Sequence, residues 1–324
     1  MYQPLDCIDA GSDFCPCYLA ESGECLMCSQ LQGKTFCDCK NWKGVCIYQE
    51  YVWNGHRMKK RRENTTSEII ERTDVSENIT IIKVRVNKTM ARELNQPGAY
   101  VFLRKTDEPD YFDTPMSVMA VDEPEGIVEI AVQIRGVKTK ALKKAGTVIN
   151  LRGPYWNGLL GLKYIKGLRN SSALLVARGI GQASALPVAR KLLTAGNRVE
   201  VILDRGRSGV NFAENNFLDL GCGVEEKNLL DPATLAIPED TLAYIRKSIL
   251  DNGIKLVFSG GSEKLHLGIG RLLSTLEERI YFACSNDARF CCGEGICGSC
   301  HARLSDGSRI KTCKTQLSPV ELFT

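Results

Sequence analysis

Ala173-Leu174-Leu175-Val176-Ala177-Arg178-Gly179-Ile180-Gly181-Gln182-Ala183-Ser184 decides the fold of this chain. The opening apolar run reads as a buried strand, and Ser184 to Ala195 continues as a helix with apolar residues at helical spacing. Between them the glycines permit a tight turn. A strand–turn–helix of this kind brings a pyrophosphate close to unpaired N–H groups and the positive end of a helix dipole. Gly179, Ile180, Gly181 and Gln182 are therefore candidate dinucleotide-binding residues. The plain alternative is a glycine-rich connection without a ligand.

The same alternation continues outward. Arg198 to Leu203 and Lys255 to Ser259 read as strands, and Pro238 to Asp251 and Leu265 to Glu278 as helices. Strands alternating with helices imply a parallel sheet wrapped by helices. Asp204, at the end of its strand, suits a ribose hydroxyl, while Arg205 and Arg207 suit a 2′-phosphate, so NAD and NADP both remain open. Upstream, from Ser67 to Arg152, the pattern is β-rich. Ile79 to Val86, Ala99 to Arg104, Met116 to Val121, Ile127 to Ile134 and Thr147 to Leu151 read as short strands, with one short helix at Thr139 to Ala145. Such a series suggests a small antiparallel barrel. By local chemistry alone, Thr114-Pro115-Met116-Ser117 is a turn before a strand and Gly136-Val137-Lys138-Thr139 is a helix cap.

Cysteine supplies the chemistry. Of 15 cysteines, eight precede residue 47, one is Cys222 and six follow residue 283. Cys292, Cys297, Cys300 and Cys313 are spaced C-x4-C-x2-C-x12-C, which suits a 2Fe–2S cluster. The excursion from Ala302 to Thr312 carries Asp306-Gly307, a hairpin turn. Zinc sites usually pair two C-x2-C knuckles, and only one occurs here. Disulfides do not suit a chain without an export signal. The amino-terminal eight are Cys7, Cys15, Cys17, Cys25, Cys28, Cys37, Cys39 and Cys46, enough for two 4Fe–4S clusters, or for one cluster and one zinc. The expected ligand core is Cys15, Cys17, Cys25 and Cys28, with Cys37, Cys39 and Cys46 completing it or building a second site. Residues 1 to about 55 hold seven acidic side chains and few aliphatic runs, so bound metal must supply part of their stability. The basic run Arg57 to Arg62 reads as a solvated linker. Cys222 and Cys284 read as small buried hydrophobes.

The formal net charge is only +4 with 25% charged residues, which gives no footing for nucleic acid. No apolar run approaches the ~20 residues of a membrane span, and Met1 to Gly11 has no signal-peptide pattern. A cytoplasmic protein is expected. No acid–base or nucleophilic constellation appears, and catalytic residues stay unassigned.

The order of parts is similar to the ferredoxin-reductase superfamily: a barrel with a P-x-S turn, a Gly153-Pro154 junction, a G-I-G nucleotide domain and the terminal cysteine motif. More narrowly, residues 67 to 324 resemble the electron-transfer subunits of dihydroorotate dehydrogenases and the small subunits of NADH-dependent ferredoxin:NADP oxidoreductases. The resemblance implies FAD between barrel and nucleotide domains, hydride exchange with NAD(P)H, and single electrons passed to a 2Fe–2S cluster facing a catalytic partner or ferredoxin. It implies that Thr114, Pro115, Met116 and Ser117 line the flavin, that Lys138 and Thr139 meet its pyrophosphate, and that Val132 gives backbone contact. Two positions depart from the family. Thr114 stands where Arg is usual, and Ser259-Gly260-Gly261 replaces Cys-Gly-Pro. The expected protein is an α+β multidomain chain: a cysteine-rich segment at 1–62, an antiparallel β-barrel flavin domain at 63–155, a parallel α/β nucleotide-binding domain at 156–280 and a 2Fe–2S segment at 281–324. Its expected role is an electron-transfer subunit in a hetero-oligomer, from an organism living without oxygen. The alternatives are a self-sufficient NAD(P)H reductase and a non-enzymatic scaffold.

Overall fold

The computed structural model describes residues 6–39, 42–286, 289–304 and 306–323. The start of the chain, residues 1–5, and position 305 of the expected hairpin turn lie outside the described residues.

Six strands close into an antiparallel barrel in the order Asn64–Ser76, Ile79–Arg85, Ile127–Gln133, Thr114–Asp122, Tyr100–Arg104 and Val148–Tyr155, the last returning to the first. Alternation sets the register. Ile82 faces Ile130 and Val84 faces Val128 across one ladder, and all four point into a core that also holds Val101, Leu103, Val118 and Leu151. The sequence reading did not include Asn64–Ser76, whose largely exposed Thr, Ser, Glu and Arg residues carry little apolar signal. It also missed the helix Lys88–Leu94, started by Asn87, whose Oδ1 accepts from Met90 N at 2.8 Å.

The second unit is a six-stranded sheet ordered Gly223–Glu226, Arg198–Asp204, Ser172–Arg178, Ile254–Gly260, Tyr281–Ser285 and Leu159–Leu160. All pairings are parallel except the last. The helices Gly181–Thr194, Glu239–Asp251 and Glu263–Ser274 cover it. The sheet therefore extends past residue 280. At the C-terminal end, His301–Arg303 and Arg309–Lys311 form the expected hairpin. The two ends of the chain meet: Asp6–Cys7 pairs antiparallel with Thr315–Gln316. Among the described residues no helix is long and apolar enough to cross a membrane.

His266 is fully buried in the second unit, with Nδ1 2.8 Å from Ser259 Oγ and Nε2 3.3 Å from Ser285 Oγ. Burial disfavours the imidazolium and pulls the pKa from 6.5 down to about 3. Between those values the unfolded chain binds a proton that the folded chain excludes. The neutral ring therefore contributes stability above pH 6.5 that is lost as pH falls toward 3. Urea unfolding at pH 7 and pH 5 should show this loss in the native protein, and His266→Gln should remove about 1–3 kcal/mol of that pH dependence. Equal pH dependence in the two proteins would refute the assignment.

Candidate redox site

The loop carrying Cys292, Cys297 and Cys300 lies flat on the barrel. Gly293 makes this possible: its φ is +71°, and a Cβ there would come within 2.6 Å of Tyr155 and 3.0 Å of Phe102. The thiols meet in pairs, Cys297 with Cys292 and Cys300 with Cys313. The hydrogen bond with Cys313, against some burial, brings Cys300 down to about 6. Burial opposes the same change at Cys297, but bonds from Ser299 and Cys292 bring it to about 7. Glu294 N donates to Cys292 Sγ at 3.3 Å. Cys291 also touches Cys297 but is exposed. Among the described residues no three His, Cys, Asp or Glu side chains gather closely enough for a mononuclear ion. Two thiol pairs are the donor set that a two-iron cluster would take. None of the cysteines is in a disulfide.

A buried ion network holds this loop. Arg62 donates to Asp9 at 2.9 and 3.2 Å, to Glu294 at 3.2 and 3.4 Å, and to the carbonyl of Pro154. Its guanidinium lies 3.8 Å from the Phe14 ring centre and 4.5 Å from that of Tyr155. Lys314 Nζ reaches Asp9 at 2.5 Å and Glu294 at 2.8 Å. Tyr155 donates to Glu294 at 2.9 Å, and Arg152 donates to the Cys292 carbonyl at 3.1 Å. Burial alone would raise Asp9 and lower Lys314. The attractions win: Lys314 and Arg62 lower Asp9, while Asp9 and Glu294 raise Lys314 against the repulsion of Arg62. This corrects the reading of Arg57 to Arg62 as a solvated linker: Arg62 is 7% exposed and occupies the centre of the assembly. A flanking basic run concealed it, and its partners lie 53 and 232 residues away.

At the amino-terminal end, Cys7, Cys15, Cys17 and Cys25 line one small cavity, and Cys28 lies with Cys37, Cys39 and Cys46. Cys222 and Cys284 are buried, as expected.

On the barrel, half-buried Thr114 shares the core-side face of Met116, opposite Leu103 and Val101, while Pro115 and Ser117 are half-buried on the outward face, opposite Phe102 and Tyr100. Thr114 Oγ1 donates to the Phe112 carbonyl at 2.8 Å. Beside it, Asp113 is gripped by Arg104 Nε at 3.0 Å and by Arg152 Nη2 at 2.9 Å, and Lys138 Nζ donates to the Asp113 carbonyl at 3.4 Å. Arg104 also pairs with Asp110 at 2.6 Å, so the two arginines are balanced by two aspartates, and Lys138 adds the positive charge at this corner. Thr139 Oγ1 accepts from the N–H groups of Arg135 and Gly136, the capping role of its local sequence. Val132 lies in the barrel core.

In the sheet unit, Gly179 has φ +54°, and a Cβ on Gly181 would come within 2.3 Å of the Gly260 backbone. The Gly179–Gly181 turn and Gly260-Gly261 are thus in direct contact. Ile180 is half-buried against the core, and Gln182 is fully buried, bonded to the Asp204 carbonyl, Asn211 and Ala213 N. The Asp204 carboxylate accepts from Arg178 at 2.9 Å, Gly206 N at 2.7 Å and Leu229 N at 2.8 Å. Arg205 pairs with Glu226 at 2.8 Å. Ser259 is buried and turned toward His266.

No protein-family profile matches the chain. The dihydroorotate dehydrogenase B (NAD(+)) electron transfer subunit of Bacillus cereus strain G9842 is 25% identical over 244 residues, covering 74% of this chain and 88% of that protein. Its counterpart in Bacillus anthracis strain CDC 684 is 24% identical over the same length. Among solved structures, an NADH-dependent reduced ferredoxin-NADP oxidoreductase chain superposes with a TM-score of 0.61 at 19% identity, covering 79% of this chain and 88% of that one. The chain has the ferredoxin-reductase-like fold. Ferredoxin-NADP+ reductase from Plasmodium falciparum, at 10% identity and a TM-score of 0.51, shares this two-unit fold over 68% of the present chain and 96% of its own. The ferredoxin-reductase-like core accounts for the barrel and the sheet.

Two substitutions, each with a control, test the site. Cys297→Ser should abolish or strongly weaken the electron paramagnetic resonance signal of a C-terminal cluster, because oxygen is a poorer ligand for iron here than thiolate. Cys222→Ser should leave that signal intact, and an unchanged signal in Cys297→Ser would refute the ligand set. Asp9→Asn should destabilise the chain by about 3–5 kcal/mol in urea unfolding, since two buried cations lose their shared partner. Glu278→Gln, which breaks an exposed pair with Lys255, should leave the midpoint unchanged.

Proposed function

We propose that this chain is the electron-transfer subunit of a flavin-dependent oxidoreductase, carrying FAD, a 2Fe–2S cluster and further iron–sulfur clusters, and passing electrons between NAD(P)H and a catalytic partner or ferredoxin. The observation that carries the reading is the two thiol pairs of Cys292, Cys297, Cys300 and Cys313, braced on the barrel by buried ions. Its relatives are named as electron transfer subunits, which supports a hetero-oligomer with a separate catalytic chain.

When bound, FAD would supply the conversion between two-electron and single-electron steps. The chain's own residues do the positioning. The Pro115 and Ser117 face of the barrel takes the ring, and Ser117 offers a hydroxyl to it. Lys138, beside the paired Arg104, Asp110, Asp113 and Arg152, supplies the positive charge that a pyrophosphate requires. The Gly179–Gly181 turn and Asp204 belong to the pyridine-nucleotide side, where Asp204 orders the turn through Arg178 and Gly206.

Tyr100 fits a cluster at the thiol pairs. It is 2% exposed, its hydroxyl has no hydrogen-bond partner among the described residues, and it lies within electrostatic range of Cys313. A buried phenol without a partner is costly, and a cluster sulfur would accept its proton. Donation to sulfur stabilises the reduced state.

Lys138→Ala should weaken FAD binding about tenfold, the worth of one charge-assisted contact, while Thr114→Arg should hold or tighten it. Fluorescence titration of the flavin-stripped chain reads both. Unaltered affinity in Lys138→Ala together with loss in Thr114→Arg would place FAD elsewhere. Tyr100→Phe should keep the 2Fe–2S signal but move its midpoint potential negative in an anaerobic redox titration. An unmoved potential would show that the phenol does not donate to the cluster.

A further inference from the structure

We infer that the eight amino-terminal cysteines form two separate four-thiolate sites, each taking a 4Fe–4S cluster: an inner site on Cys7, Cys15, Cys17 and Cys25, and an outer site on Cys28, Cys37, Cys39 and Cys46. The inference deepens the electron-transfer reading above and rests on it for the direction of flow.

The inner site is defined by a cavity. Cys7, Cys15, Cys17 and Cys25 all line it, and the apolar side chains of Leu19 and Ile47 help to close it. Cys17 is an electrostatic neighbour of each of the other three. Cys28 does not line this cavity, although it is only three residues from Cys25. Cys7 is carried in from the far side by the pairing of Asp6–Cys7 with Thr315–Gln316. Thiols that share one cavity without closing on a single point suit the corners of an iron–sulfur cube.

The outer site is assembled by Ser29. Its hydroxyl donates to the Phe36 carbonyl at 2.8 Å and accepts from Asp38 N at 2.9 Å, which pins the Cys37–Cys39 loop beside Cys28. Cys37 and Cys39 Sγ are 3.7 Å apart, and Cys39 has Cys28 and Cys46 as electrostatic neighbours. Cys46 immediately precedes the helix Ile47–Trp53, whose Ile47 packs in the same small core as Cys25 and Cys28. Cys37 and Cys39 are exposed, and so is Phe36.

The inner site lies next to the C-terminal pairs. Asp9 lines the inner cavity and binds Lys314, Lys314 binds Glu294, and Glu294 N donates to Cys292 Sγ. One layer of ion pairs thus separates the inner thiols from the C-terminal pairs. With clusters bound, the C-terminal pairs, the inner thiols and the outer thiols would hold the iron, and the clusters would supply one-electron transfer between the flavin side and a one-electron acceptor on the partner. No bond forms or breaks.

The test uses the full chain, purified without oxygen, with iron and sulfide analysis and electron paramagnetic resonance after dithionite reduction. The unaltered chain should hold about ten irons, from one two-iron and two four-iron clusters. Cys7→Ser and Cys39→Ser should each lose about four irons and a different 4Fe–4S signal, with the 2Fe–2S signal kept. Because Cys39 is exposed, its variant tests the partition even if Cys7→Ser folds poorly, and Cys28→Ser should then reproduce the Cys39→Ser spectrum. If Cys28→Ser instead removes the signal lost in Cys15→Ser, the partition is wrong. Zinc in place of iron at this end also overturns it. If both 4Fe–4S signals are present and the 2Fe–2S signal is missing from the unaltered chain, the inference stands and the C-terminal assignment fails.

Discussion

Three buried ions, Asp9, Arg62 and Lys314, together with half-buried Glu294, hold the molecule in register. They come from the amino-terminal segment, the linker, the cysteine loop and the residue after Cys313, so no local rule brings them together. Taking such charges out of water costs several kcal/mol per ion, and the cost is met only where every charge is paired and bonded. Here two cations face two carboxylates, and Arg62 also lies against the rings of Phe14 and Tyr155. An arrangement with one member displaced would strand a buried charge. That penalty fixes the cysteine loop on the barrel and the amino-terminal thiols beside it.

What could be read from sequence was what local periodicity and spacing encode. Five barrel strands and the strand–helix alternation around Gly179 were legible because their apolar residues repeat with the period of the element. The C-terminal thiol spacing was legible because three ligands fall within nine residues, from Cys292 to Cys300. Asn64–Ser76 was not, since a largely exposed strand has no apolar alternation to display. Arg62 was not, since nothing in Arg57 to Arg62 distinguishes the one buried arginine from its exposed neighbours. The grouping of the amino-terminal thiols depends on the Ser29 bonds and on a strand pairing between opposite ends of the chain. Cys7 and Cys28 therefore could not be allotted from spacing.

The two departures from the family pattern have local physical settings. Thr114 lacks a charge, but Asp113 beside it holds Arg104 and Arg152, and Lys138 reaches its carbonyl. The arginines are balanced by Asp110 and Asp113, and positive charge is delivered to the corner by Lys138 from the helix Val137–Lys143. Ser259 lacks a thiol, and its hydroxyl is bonded to a neutral buried histidine that also meets Ser285. A side chain held there serves the interior of the sheet unit, close to where Gly181 and Gly260 touch.

The proposed path makes the layer of Asp9, Lys314 and Glu294 both a brace and the gap that an electron crosses. Clusters separated by so thin a layer interact magnetically when both are reduced. Low-temperature electron paramagnetic resonance of the fully reduced chain is the most direct measurement. The account predicts a 2Fe–2S signal broadened or split by its neighbour, reverting to a simple signal in Cys7→Ser. A sharp, unperturbed 2Fe–2S signal in a chain whose amino-terminal clusters are also reduced would contradict it.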